Sequence, residues 1–473
     1  LTMKVAIVGC THGELDIVYE ALALIQEMNN IKVELLICCG DFQAVRNQTD
    51  LLCMAVPPKY QKMCSFHKYY SGEKTAPILT LFIGGNHEAT NYLQELPYGG
   101  WVATNIYYLG YAGVVQYKGM RIGGISGIFK AEDYLKGHHE FPPYSESTKR
   151  SAYHVRNLEI FRLSQIKQSI DMFISHDWPL NITKHGDVQK LLSVKPFLSA
   201  DIYNNRLGNP TTETLLSKIQ PKYWFSAHLH CKFTAIVKHN SNEEISKTTK
   251  FLALDKCLPR RPYMQILDIF PCSRELSNLE ESTLCYDAEW LTILKLTDHL
   301  LSVEPRTNYM PGHHGNERYM FTPSQQEIDT TVRMFGGLKV PVNFSKTAPA
   351  HSEQPLPGAP SITVNPQTQN FCQRLGIRDP NTLLAALHFV HTHPHPQTVP
   401  KARNPSEIQL SDEEREEQTS IPTKEVCNND ESPVEGFIVD KTGDLTGKDD
   451  PEDGKKLFRR RNQQYYTKEG NDD

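Results

Sequence analysis

Short apolar runs recur along the first half of the chain, and several of them stop at a polar side chain. They are Lys4-Val5-Ala6-Ile7-Val8-Gly9, residues 33–39, Ile78-Leu79-Thr80-Leu81-Phe82-Ile83, Met172-Phe173-Ile174-Ser175 and Tyr223-Trp224-Phe225-Ser226. Continuous apolarity over four to seven residues, rich in branched and aromatic side chains, predicts buried strands of a largely parallel sheet. Between them, residues 15–28, 89–96, 157–170 and 212–219 carry the spacing of amphipathic helices. Residues 114–117 and 121–126 predict a hairpin that turns at Lys118-Gly119, and strands at 233–238 and 251–253 complete the set. Strands alternating with helices predict an α/β fold, with a first domain over residues 1–270.

The pattern fails in two places. Residues 129–156 have no sustained apolar period and mix aromatic with basic side chains, among them Lys136, Tyr144, Lys149, Arg150, Tyr153 and His154. A loop this long inside a compact domain tends to be functional, and such side chains suit stacking on bases and contact with phosphates. Beyond residue 270 the segments 287–300 and 324–334 read as polar helices, which predicts a small helical domain over 271–339. From 340 onward proline, glutamine and charge dominate, predicting a disordered tail with one helix at 381–389. The tail holds His391-Thr392-His393-Pro394-His395, read as a solvated low-complexity stretch. It also holds the basic cluster 455–461, of the kind that serves nuclear import or RNA contact.

Charge sharpens this division. The 473 residues carry a net charge of -5, but residues 401–473 hold 12 Lys+Arg against 19 Asp+Glu, leaving 38 against 36 in residues 1–400. The front part is near neutral, so an anionic substrate must be met by a local site. The 11 cysteines, some inside apolar runs, read as reduced core thiols. No apolar run approaches the ~18 residues needed to span a bilayer, and the start lacks the apolar core of a signal peptide. A soluble intracellular protein is the expectation.

The chemistry sits where the apolar runs end. The first gives Cys10 and His12, the second Asp41, the third Gly84-Gly85-Asn86-His87-Glu88, and the last two His176 and then His228 with His230. Ligands of open α/β sheets bind at the carboxyl edge of the strands. Taken singly, each of these residues is as well explained by a cap, a turn or a core thiol. Together, seven N, O and S donors suffice for two cations, with the Asp41 carboxylate able to reach both, the arrangement that serves phosphoryl transfer. Composition and spacing stop there, at a dimetal phosphoesterase.

The pattern Cys-x-His, Gly-Asp, Gly-Asn-His-Glu, His and His-x-His resembles the calcineurin-like metallophosphoesterases. It departs from most of them at Cys10, where Asp is usual, and at Ala227, where Gly is usual. The cysteine is a signature of the RNA lariat debranching enzymes, and Gly-Cys-Thr-His-Gly-Glu-Leu, Gly-Gly-Asn-His-Glu-Ala and Ser-His-Asp-Trp-Pro are similar to that family's motifs, over residues 3 to about 339. The resemblance implies a metallophosphoesterase β-sandwich core flanked by helices. It implies hydrolysis of the 2′-5′ phosphodiester at the branch point of excised intron lariat RNA, with residues 129–156 as the lariat recognition loop. One cation would be held by Cys10, His12, Asp41 and His230, the other by Asp41, Asn86, His176 and His228. His87 would be the general acid, with Glu88 orienting its ring. A soft thiolate favours Fe²⁺ or Zn²⁺, with Mn²⁺ able to support activity. The resemblance further implies nuclear residence with shuttling to the cytoplasm, and import or splicing partners for the tail. It leaves the oligomeric state open. The alternatives are a dimetal phosphoesterase acting on linear nucleic acid, cyclic nucleotides or phosphoprotein, and a non-catalytic scaffold of the same fold.

Overall fold

A computed structural model describes residues 2–239, 247–270, 282–313, 315, 318–352 and 360–392. Its strands are β1 (Met3–Val8), β2 (Leu35–Cys38), β3 (Thr80–Phe82), β4 (Gly100–Ala103), β5 (Ile106–Tyr108), β6 (Ala112–Tyr117), β7 (Met120–Ile125), β8 (Met172–Ser175), β9 (Tyr223–Ser226), β10 (Phe233–Lys238), β11 (Thr248–Ala253), β12 (Met264–Ile269) and β13 (Cys285–Tyr286). They form a six-stranded sheet in the order β12-β1-β2-β3-β5-β4 and a seven-stranded sheet in the order β10-β11-β9-β8-β7-β6-β13.

Alternation along the strands stacks these sheets. Val5 and Ile7 of β1 face the gap between them, against Ile122, Ile174 and Phe225 of the second sheet. Ala6 and Val8 face outward, onto Leu15, Val18 and Leu22 of the helix Leu15–Asn29. The second sheet turns Phe173, Trp224 and Phe251 outward onto helical residues Leu163, Leu215 and Trp290. The result is a helix–sheet–sheet–helix sandwich, as the fold expectation requires. β1, β2 and β3 run parallel, as do β7, β8 and β9, so within each sheet these strands end on a common edge.

The hairpin expected at Lys118-Gly119 is present. Both turn residues have positive φ (48° and 74°), the geometry whose twist matches the flanking strands.

Residues 282–339 do not stand apart as a helical domain. β13 pairs with β6 at the edge of the second sheet, and Trp290, Leu291, Leu294 and Phe335 join that sheet's outer core. Arg121 of β7 binds Asp287 at 2.7 Å and Glu289 at 3.0 Å, tying this layer down. Order also continues past 340, where the sequence reading starts a disordered tail. The helix Pro366–Leu375 buries Phe371, Cys372 and Leu375. The Gln367 carboxamide makes both bonds of a strand neighbour to the backbone of Trp101, at 2.8 Å each. A single apolar stripe on a short, glutamine-rich helix is too sparse to register against the surrounding polarity. β12 was also missed, because an edge strand exposed on one side lacks a continuous apolar run. The helix Pro380–Thr392 covers the one expected at 381–389. Residues 393–473, with His393, His395 and the basic cluster 455–461, lie outside the described residues. Among the described residues, no helix is long and apolar enough to cross a membrane.

Candidate metal centre

The turns after β1 and β2 are zipped together before any side chain is considered. The backbone N–H of His12 donates to Asp41 O at 2.7 Å, that of Gly13 to Phe42 O at 3.1 Å, and the Thr11 hydroxyl reaches both carbonyls. His12, Asp41, His228 and His230 all hold left-handed backbone, with φ of 50°, 45°, 57° and 50°. Such conformations cost about 1–3 kcal/mol each and persist where surrounding structure enforces them, characteristically at functional sites. Ala227 is not among the positive-φ residues, so its methyl group is carried without backbone strain. Two glycines make the room. A Cβ on Gly40 would sit 2.3 Å from His176 Nδ1, and one on Gly85 would sit 2.3 Å from Asp41 Oδ1.

Asp41 is the centre of the arrangement. Its Oδ1 accepts the His87 backbone N–H at 2.9 Å and lies 3.3 Å from His176 Nε2. Its Oδ2 lies 3.5 Å from His87 Nδ1 and 3.9 Å from His12 Nε2, is buried, and has no hydrogen-bond partner. Burial alone would raise the Asp41 carboxyl, yet His87, His176, His12 and His230 around it hold it well below the ordinary carboxylate range.

The donor atoms of Cys10, His12, Asp41 and His230 all fall within 4.8 Å of one another, with His12 Nε2 3.3 Å from His230 Nε2. Burial pushes His12 down to about 4 and His230 well below its usual value, so both imidazoles are neutral near pH 7 and keep a lone pair for a cation. The Gln43 carboxamide lies 3.1 Å from His12 Nδ1, which turns Nε2 toward the cluster. Burial raises the Cys10 thiol, so a cation binding there displaces a proton. On the other side of Asp41, His176 donates Nδ1–H to Cys39 O at 2.8 Å, which leaves Nε2 as the basic atom, 3.2 Å from Asn86 Oδ1. The His228 ring packs edge-on to it at 5.0 Å. A buried carboxylate oxygen with no hydrogen-bond partner, ringed by imidazoles and a thiol, fits divalent cations better than it fits any hydrogen-bonded core.

Glu88 does not have the place expected for it beside the His87 ring. Its carboxylate accepts from the backbone N–H groups of Phe42 (2.7 Å), Gln43 (2.7 Å) and Gly85 (2.9 Å), joining the turns after β2 and β3. Burial and the nearby Asp41 push it up to about 7 despite those donors. Gln43, which sequence reasoning missed, carried no signal beyond its place two residues after Asp41.

The recognition-loop candidates divide. Lys136 pairs with Asp133 at 2.9 Å, and Lys149 and Arg150 share Glu146 on the short helix Glu146–Ser151; all three reach solvent. Tyr153 and His154 are buried, His154 against Asp133 at 2.7 Å, and the Tyr144 hydroxyl donates to Gln94 Oε1. The segment is pinned from beneath by the buried pair Arg156–Glu140 at 2.6 Å.

Comparison with known proteins agrees with this geometry. Residues 3–232 match the calcineurin-like phosphoesterase family, and residues 246–380 match the family described as lariat debranching enzyme, C-terminal domain. The chain is 47% identical to the lariat debranching enzyme of Drosophila melanogaster, over 90% of this chain and 88% of that one. It is 53% identical to the Homo sapiens enzyme over 81% and 70% of the two chains, and 46% identical to the Arabidopsis thaliana enzyme over 79% and 86%. The second family match ends at residue 380, past the helix Pro366–Leu375.

Proposed function

Because the chain belongs to the lariat debranching enzymes, we infer that it is a metal-dependent phosphodiesterase that hydrolyses the 2′-5′ bond at the branch point of lariat RNA. The observation that carries this is Asp41, buried where the turns after five strands meet, with one oxygen left without a hydrogen bond. Its neighbours offer two donor sets that share it: Cys10, His12 and His230 on one side, Asn86, His176 and His228 on the other. Divalent cations held there would lower the pKa of water and draw charge from the phosphate oxygens.

The chain's own groups do the rest. His87 stands beside Asp41, and its Nδ1 faces that carboxylate at 3.5 Å. Nε2 is then the atom that passes a proton to the departing 2′-oxygen, an alkoxide too basic to leave well unaided. Glu88 acts one step back, fixing the turns that carry Asp41 and His87. The thiolate of Cys10 selects softer cations, so Fe²⁺ or Zn²⁺ is the native choice, with Mn²⁺ as a working substitute. Work on spliced introns suits a nuclear protein, with residues 455–461 serving import; a fluorescent fusion that stays nuclear without that cluster would remove its role.

Incubation with a branched RNA and with a linear RNA of equal length tests the reading. Release of the branch as a linear product, with the 3′-5′ linear RNA intact, is the expected result. Equal cleavage of both would make the protein a general nuclease instead.

A further inference from the structure

On the Cys10 side, the rim of the site carries a lysine that no carboxylate among the described residues claims. After β11 the chain runs back along the end of β1, where Lys256 pairs with Cys10 in a parallel bridge and the Cys257 N–H donates to Cys10 O at 2.8 Å. The approach is tight, since a Cβ on Gly9 would meet Asp255 O at 2.1 Å. Paired residues in such a ladder lie about 4.8 Å apart and send their side chains to the same side. Cys10 is fully buried there, whereas Lys256 is half-buried and long enough to carry its ammonium out to the rim. Its charge acts on both His12 and His230.

Several lysines of this chain spend their charge on acids, Lys4 on Asp268, Lys68 and Lys74 on Asp16, Lys118 on Glu34, and others stand at the open surface; Lys256 is set apart by its place beside the metal donors. The acid next to Lys256 is already taken, because Asp255 binds Arg261 at 3.1 Å and accepts the backbone N–H of Lys256 at 2.7 Å. Among the described residues, no carboxylate pairs with the Lys256 ammonium. A cation held beside a centre that itself gathers cations is repelled until an anion arrives. The anion this site must receive is a phosphodiester.

We propose that Lys256 is a phosphate-binding residue of the active site, gripping a non-bridging oxygen of the scissile phosphodiester on the Cys10–His230 side. The inference rests on the debranching reading and adds to it a contact that neither the metal donors nor the loop 129–156 supplies. The ammonium approaches the phosphate from the rim, holding it in register while the 2′-oxygen is turned toward His87.

The test compares Lys256→Gln and Lys256→Arg with the unaltered protein on branched RNA and on a small nitrophenyl phosphodiester, with bound metal counted for each. Binding is measured as a function of salt on a branched RNA whose 2′-oxygen is replaced by methylene, which keeps the phosphate charge. A charge-assisted contact predicts that Lys256→Gln loses about ten- to a hundred-fold in kcat/KM on both substrates. Its log–log salt slope should flatten by about 0.7, the value for one phosphate contact on a single strand. Lys256→Arg should recover most of the loss, and metal content should not move. Loss of metal in Lys256→Gln, an unchanged salt slope, or a defect confined to RNA overturns the proposal. If the unaltered protein cleaves the small diester but not branched RNA, the debranching reading fails instead, and the small diester still decides on Lys256.

Discussion

At the scale of single residues, Asp41 shows how burial and charge divide the work. Taking a carboxylate out of water costs several kcal/mol unless partners replace the lost hydration, and around Asp41 the replacements are one backbone N–H and a ring of imidazoles. Cys10 differs, since its thiol is pushed up by burial and becomes a ligand only by losing a proton to a cation. Cys10→Asp should therefore shift preference from Zn²⁺ toward Mn²⁺ or Mg²⁺, read as metal bound per chain after equilibration with a mixture of the three. Metal content identical to that of the unaltered protein would remove Cys10 from the donor set. The positions of these residues were legible because each follows a strand whose apolar run is unmistakable. The role of Glu88 was not, because its partners are backbone N–H groups of residues three and 45–46 positions away, and no side-chain pattern announces those.

At the scale of elements, residues 129–156 read as a loop, whereas the structure holds two short helices there, Ala131–Tyr134 and Glu146–Ser151, and anchors the segment. Its anchors are polar pairs, Arg156 with Glu140 and His154 with Asp133, and polar pairing leaves no hydrophobic period to detect. The consequence is a split in what substitutions do. The Arg150 side chain is exposed and that of Lys149 partly so, and both share Glu146, so replacing both with Ala should leave the fold intact. It should weaken binding to branched RNA and flatten the log–log salt slope by about 1.4, two single-strand contacts' worth, while turnover of a nitrophenyl phosphodiester stays unchanged. Equal losses on both substrates would instead make this helix a structural support of the metal centre. Tyr153 and His154, being buried, belong with the anchors.

At the scale of the whole molecule, the active edge was readable from the polar stops of the strands and the sandwich only through the family resemblance, whereas the contribution of residues 340–392 was not. Thr347 binds both Arg46 and Glu95, Asn365 binds Glu95, and Arg378 binds Asp298, so this stretch closes a network that begins five residues after Asp41. Each contact joins residues some 80 to 300 positions apart, beyond the reach of any local pattern. A chain ending at 392 should keep its melting temperature and turnover. One ending at 339 exposes the surface that Phe371 and Leu375 cover, about 1.5–3 kcal/mol for each, and strips Arg46 and Glu95 of partners; its melting temperature should fall by several degrees, and equal melting for the two truncations would deny this segment a structural role. Whether a shared-aspartate metal centre works with a separate acid is decided by turnover of branched RNA and of a nitrophenyl phosphodiester by His87→Ala and His228→Ala, with bound metal counted in the same samples. A nitrophenolate leaves without a proton, so His87→Ala should lose about 10²–10⁴-fold on RNA, keep most of its nitrophenyl activity and hold its metal, while His228→Ala should lose metal and both activities. Loss of metal in His87→Ala, or equal loss on the two substrates, would contradict the account.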